Sequence, residues 1–533
     1  MNKLLLSGNE AIALGAFEAG VRVGTGYPGT PSSEILENLT KYSGVYTEWS
    51  VNEKIALEVA IGSSLSGART LVTMKHVGMN VAADPLFTCS YIGVKGGLVI
   101  INADDPNMHS SQNEQDNRNY AYAAKIPMLE PSDSQEAKDY TKFAFDISEK
   151  YDTPVIIRTT TRISHGKSIV KSGALISKND NVTGFARNIK KYVMIPGHAR
   201  FRHIEVEKRM IKLTSDVNTF DINKIEINDK QVGIITSGMS YTYVKEALPD
   251  VSILKLGVIN PLPEDVIREF FKSVDKVYIV EELDPYIEMR LKASGYNAEG
   301  KKYFSNTGEL SPDSVTSAFA KITNKPINSS KESLKNTVKL PPRPPSLCPG
   351  CPHRALFKVI GKLGLIATGD IGCYTLGALP PYNAMDTCVD MGASIGVAQG
   401  IEIAEGPGYK NNTVAIIGDS TFIHSGVTGL INAAYNKRHT LIIVLDNETT
   451  AMTGMQPNPL SGTRINGETT IKVDYEKLAQ SVGIGEDNIK IVDAYKPELI
   501  EETITTLIES KKLSLLVIMG TCVILKRKKK RKA

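Results

Sequence analysis

The chain has 533 residues, 41% of them hydrophobic and 23% charged, an ordinary globular composition with length enough for three or four domains. The net charge of +4 is more than accounted for by the basic run at residues 526–532, so the charge balance marks no nucleic-acid surface. The apolar run at 513–525 falls short of the about 20 residues a membrane span needs, the first residues make no secretory leader, and six cysteines at this length are no disulfide scaffold. The expectation is a cytoplasmic protein with neither membrane nor nucleic-acid partner.

Helix and strand patterns alternate over residues 1–165. An early helix at 11–20 is followed by Val21-Arg-Val-Gly24 and the turn Gly26-Tyr-Pro-Gly-Thr-Pro31. Strands are expected at 70–74, 97–101 and 154–157. This is doubly wound α/β organisation. Glu53 opens a helix of small residues, and Ser50-Val-Asn-Glu53 also reads as a capping box in which the glutamate only satisfies the helix end. Lys75 and His76 follow a strand end. The polar loop 104–118 follows a buried strand, a common setting for function. Arg118 at its end suits bidentate capture of a substrate carboxylate, or equally a surface salt bridge.

Residues 166–230 are polar and basic with little periodicity and read as a connecting segment with some helix. A second α/β domain, 231–325, carries buried strands at 232–236 and 277–280. Residues 326–345 end in Pro341-Pro-Arg-Pro-Pro345, a stiff linker. The domain 346–525 opens with Cys348-x-x-Cys351. Cys373 and Cys522 follow, and a CxxC with two distant thiols suits a tetrahedral zinc, a [4Fe-4S] cluster, or a turn-shaping motif. Cys89 and Cys388 have no such partners and read as buried small hydrophobes. Met391-Gly-Ala-Ser-Ile-Gly396, with Gly392, resembles a phosphate-side turn opening a helix.

The most informative stretch is 413–454. A buried strand ends in Gly418-Asp419-Ser420, a helix pattern follows, and a second strand ends in Asp446-Asn447. Parallel strands joined by a right-handed crossover bring both ends to one sheet edge. Asp419 and Asn447 then stand together as hard oxygen ligands suited to Mg²⁺. Gly418 and Ser420 leave backbone N–H groups open to a diphosphate.

GDS…DN resembles the signature of thiamine diphosphate enzymes. Cys348-Pro-Gly-Cys-Pro-His-Arg354, DNETTAMTGMQPNP, GYPGTPSSE and TMKHVGMNVAADP narrow the likeness to the large subunit of indolepyruvate:ferredoxin oxidoreductase, over about residues 1–525. The resemblance implies several thiamine-type α/β domains. These are a pyrimidine-binding domain at 1–165, a transketolase C-terminal-like domain at 231–325 and a diphosphate-binding domain at 346–525. It also implies that Asp419, Asn447 and the Thr449 carbonyl hold Mg²⁺, that Glu53 (with Glu48 in reserve) is the acid activating the cofactor, and that Thr30 lies near the 2-oxoacid. Cys348, Cys351, Cys373 and Cys522 resemble the ligands of a proximal [4Fe-4S] cluster, which would take electrons one at a time, as zinc cannot.

By the same resemblance the activity is oxidative decarboxylation of an arylpyruvate to an aryl-acetyl-CoA. Coenzyme A and ferredoxin take part, and a smaller β subunit completes a heterodimer or α2β2 assembly. The family usually continues into a ferredoxin-like domain; here the sequence passes from the last strand to a basic tail at 526–533. That tail reads as a solvated linker remnant or as a docking site for an acidic ferredoxin. A non-oxidative thiamine decarboxylase and a non-catalytic partner subunit are the alternative readings.

Overall fold

The computed structural model describes residues 2–174, 182, 184–323, 341, 343–406 and 409–532. The chain divides into two compact units, Met1–Lys335 and Asn336–Ala533. Most of the expected linker, 326–345, lies outside the described residues.

The first unit is built on a seven-stranded sheet. Its order is Val258–Asn260, Met128–Leu129, Val155–Thr160, Leu98–Asp104, Thr70–Lys75, Val23–Gly26 and Tyr46–Trp49. All neighbours are parallel except the first pair. The central strands are buried along their whole length, as strands covered on both faces must be, and each carries apolar residues on successive positions before a polar end. The first helix, Gly8–Glu18, starts at a capping box in which Ser7 and Glu10 satisfy one another's backbone N–H groups. It lies so close to the helix Ser134–Tyr151 that a Cβ on Gly15 would meet the Lys138 carbonyl oxygen at 2.4 Å.

A second sheet of this unit runs Ala298–Glu299, Lys276–Val280, Val232–Ser237, Ser252–Leu256 and Lys224–Glu226. Two expectations are corrected here. The boundary near residue 231 is not clean, because Val258–Asn260 crosses back to pair antiparallel with Met128–Leu129. The described residues of 166–230 do more than connect. They contribute Lys167–Lys171, paired with Lys3–Ser7, the 21-residue helix Pro196–Asp216, and the edge strand Lys224–Glu226. That helix buries only Val206, Arg209 and Leu213, too thin an apolar stripe to show as periodicity.

The second unit is a six-stranded parallel sheet in the order Thr387–Cys388, Ile366–Gly369, Thr413–Gly418, Leu441–Asp446, Ser514–Met519 and Ile489–Asp493. Alternate strand residues feed two cores. Val414, Ile416, Ile443 and Leu516 pack with the helices Arg354–Leu363 and Pro497–Glu509. Ala415, Ile417, Ile442 and Val517 pack with Ala393–Glu405 and Val427–Tyr435. The chain winds from Ile366–Gly369 out to Thr387–Cys388 and returns on the other side at Thr413–Gly418. The order therefore reverses between two strands whose carboxyl ends carry Asp370 and Asp419, the place where open α/β sheets take ligands.

Cys522 does not end the last strand, as expected from sequence. The strand stops at Met519, and Cys522 precedes a helix, Val523–Lys532, that takes up the basic tail. Among the described residues, no helix is long and apolar enough to cross a membrane.

Candidate functional site

Gly418 pairs with Leu445 in parallel register, so the segments beginning at Asp419 and Asp446 leave the sheet side by side. The structure thus brings Asp419, Asn447 and Thr449 together, all buried. Asp419 accepts from the Asn458 amide at 3.1 Å, and the nearby backbone N–H groups of Ser420 and Thr449 favour its ionised form. Asn447 Oδ1 accepts from the Thr449 N–H at 3.2 Å. Ser420 Oγ accepts from Thr450 Oγ1 at 2.9 Å. Burial and the adjacent Asp446 carboxylate raise Asp419 well above the usual carboxylate range. Burial raises Asp446 too, against the pull of the Glu448 N–H at 2.8 Å and the Tyr475 hydroxyl at 3.2 Å. Two buried carboxylates held up in this way, beside the Asn447 side-chain oxygen, are hard donors that a divalent cation would relieve.

The glycines have specific reasons. A Cβ on Gly418 would meet Tyr374 Cε1 at 2.6 Å, and the Tyr374 hydroxyl donates to the buried Asp370. Gly418 is therefore small to seat a ring as well as to leave the strand end open. Gly392, at φ 94°, opens the helix Ala393–Glu405, and a Cβ there would meet Ser425 Cβ at 2.6 Å.

Beside this loop lies a cavity of about 80 Å³ lined by Cys348, Cys351, Cys373 and Cys522 together with His353 and Asn447. The CxxC is folded by a Cys351 N–H bond to the Cys348 carbonyl at 3.0 Å and by Arg354 Nε donating to the same oxygen at 2.8 Å. Burial pushes the Cys351 thiol up to about 11 and Cys373 up to about 12, and the neighbouring thiols push each the same way. Among the described residues, no three His, Cys, Asp or Glu side chains stand close enough to hold a metal ion. The four thiols line this cavity together. Cys89 is buried as expected, whereas Cys388 is exposed, at the end of a two-residue edge strand.

In the first unit, Glu53 is the first residue of the helix Glu53–Leu65 and is buried. The capping box does not form. Asn52 caps the helix through the Ile55 N–H at 2.9 Å, and Ser50 donates to Glu48 instead. The Glu53 carboxyl lies over Gly78, where a Cβ would meet Oε1 at 2.5 Å. Thr30 is half-buried, and its carbonyl accepts from Ser110 Oγ at 3.3 Å. Lys75 is bonded to the Ser110 carbonyl at 2.5 Å, and burial lowers it to about 8. The carboxylate-clamp reading of Arg118 is corrected. The side chain is 1% exposed and fully engaged by Asp116, Glu281 and the carbonyls of Glu282 and Asp284, so no donor face is left for a substrate.

Asn458, Tyr374 and His353 were missed in sequence. His353 is buried, held down to about 4, and faces Asn447. Its only signal was its place in the CxxC-Pro-His run.

Residues 370–518 match the family described as thiamine pyrophosphate enzyme, C-terminal TPP binding domain. Residues 14–216 match that of pyruvate flavodoxin/ferredoxin oxidoreductase, thiamine diphosphate-binding. Indolepyruvate oxidoreductase subunit IorA of Archaeoglobus fulgidus is 42% identical over 98% of this chain and 87% of its own. The Pyrococcus horikoshii protein of that name is 44% identical over 98% of this chain and 86% of its own. More distantly, 2-oxoglutarate synthase subunit KorA of Archaeoglobus fulgidus is 25% identical over 53% of this chain and 88% of its own. Fold, site and these matches together define a thiamine diphosphate-binding oxidoreductase that acts on 2-oxoacids. Within that class, the chain belongs to the indolepyruvate oxidoreductase subunit IorA family.

Proposed function

We propose that this chain is the larger subunit of an enzyme that decarboxylates an arylpyruvate such as indolepyruvate. The acyl group is transferred to coenzyme A with release of CO₂ and a proton, and two electrons pass to ferredoxin. A smaller β subunit completes the enzyme, as a heterodimer or α2β2, in the cytoplasm. Thiamine diphosphate, when bound, supplies the nucleophilic carbon and electron sink for this chemistry. Asp419, Asn447 and the Thr449 carbonyl would hold Mg²⁺, and the turns at Gly392 and Ser420 would face the diphosphate. Glu53 is the acid that sets the cofactor's proton inventory, and the Thr30 turn contacts the 2-oxoacid. Cys348, Cys351, Cys373 and Cys522 would hold one [4Fe-4S] cluster.

The observation that carries this reading is a single hydrogen bond, Cys522 N–H to the Asn447 carbonyl at 3.1 Å. It ties the cysteine-lined cavity to the loop that would hold the metal, which favours an electron acceptor beside the reacting centre over a decarboxylase without one. The test is iron and acid-labile sulfide on anaerobically reconstituted protein, with an EPR spectrum after dithionite reduction. About four irons per chain are expected, lost in Cys522→Ala and retained in Cys388→Ser. Protein that takes up no iron and releases aldehyde from indolepyruvate would move the assignment to the non-oxidative decarboxylase.

A further inference from the structure

Within the second unit, one residue touches both halves of the site, and neither proposed role absorbs it. His353 stands two residues after Cys351, and its ring Nε2 lies 3.3 Å from Asn447 Nδ2. The ring is 2% exposed, meets Tyr374 edge-on at a centroid distance of 6.4 Å and lines the cysteine cavity.

The orientation of the Asn447 amide follows from its neighbours. Thr449 N–H donates to Oδ1 at 3.2 Å, so the oxygen faces the loop and the NH₂ group faces the imidazole. An NH₂ group only donates, so Nε2 must accept, and the ring is the neutral tautomer with its proton on Nδ1. Turned the other way, the amide would set its NH₂ against the Thr449 N–H, donor to donor. The imidazole therefore holds one end of the amide and the Thr449 N–H the other.

We infer that His353 is a positioning residue for the cation site: its Nε2 holds the Asn447 amide with the oxygen turned toward the Thr449 N–H. The inference rests on the proposed role of Asn447 as a magnesium ligand. Groups that orient a ligand in this way are commonly worth ten- to a hundredfold in metal affinity.

The test uses the full chain with Mn²⁺ and thiamine diphosphate, reading bound Mn²⁺ by EPR as the metal is titrated, with a thermal melt of each variant. His353→Leu, which fills the space but cannot accept, is expected to weaken Mn²⁺ at least tenfold. His353→Gln, whose amide oxygen reaches about as far as Nε2 and accepts, is expected to stay within threefold of the parent. Unchanged affinity in His353→Leu overturns the inference, as does equal loss in both variants, since packing alone would then explain the residue. Asp419→Ala separates this from failure of the metal assignment. Loss there with His353→Leu unaffected overturns only the role of His353, whereas unaltered affinity in Asp419→Ala overturns the metal site and the inference with it.

Discussion

Glu53 shows how a single neighbour decides which role a side chain takes. Its sequence context allowed a capping role, but Asn52 takes that role and leaves the carboxyl buried over Gly78. A Cβ at Gly78 would stand 2.5 Å from Oε1 and 2.7 Å from Cγ of Glu53, so the carboxyl would have to turn away to make room. Gly78→Ala should therefore mimic a Glu53 variant without touching Glu53. A misplacement on the order of 1 Å in a reacting group costs about a hundredfold. The expected result is a fall in kcat of at least tenfold with Tm within a few degrees of the parent, measured by single-turnover decarboxylation and by thermal melting. Undiminished turnover would remove Glu53 from the chemistry. Arg118 makes the converse case. It sits among Asp116 and Glu281 with all its bonds inside the protein, and removing it strands two buried carboxylates. Arg118→Ala should destabilise the chain by about 3–5 kcal/mol, seen as a lower denaturation midpoint. A substrate clamp would instead raise KM at unchanged stability.

At the scale of elements, the strands that build the site were legible because they are buried on both faces. Thr413–Gly418 and Leu441–Asp446 are unbroken apolar runs that end abruptly in Asp or Asn, and the rule for parallel crossovers then places those ends together. The CxxC, the glycine turn at 392 and the helix opened by Glu53 were readable for the same reason: each is a local pattern. What was not legible depends on partners far along the chain. Arg118 meets Glu281 across 163 residues, and Asn458 reaches back 39 residues to Asp419. The edge pairing of Val258–Asn260 with Met128–Leu129 involves strands of three and two residues, too short to show any period. The terminal helix was masked by an apolar run whose strand stops at Met519. After Gly520 the lysine-rich sequence takes the helical state that its residues favour.

At the scale of the whole molecule, Glu53 and Thr30 belong to the first unit, and the metal loop and the cysteines to the second. The first unit also carries a feature that ties its stability to pH. Arg118 and Arg158 lie among Asp104, Asp116, Glu130, Glu281 and Glu282, all buried. Burial pushes Asp104 up to about 7, with Arg158 pulling against it from 2.6 Å and Asp116 adding to the rise. Burial pushes Glu282 to about 7 as well, whereas Asp116, between the two arginines, is held down to about 2. The signs follow. An unfolded carboxyl ionises near 4, so between about pH 4 and 7 the folded chain binds more protons than the unfolded one at Asp104 and Glu282, and stability falls as pH rises. Asp116 acts the other way, but only between about pH 4 and 2. Asp104→Asn replaces a carboxyl that must lose its proton with an amide that has none to lose. Its Tm relative to the parent should rise steadily from pH 5 to pH 8 and level off above that, whatever the offset at pH 5. Melting curves of both proteins at half-unit steps check this. Parallel pH profiles would show that Asp104 is already ionised in the folded chain at pH 5, with Arg158 outweighing its burial.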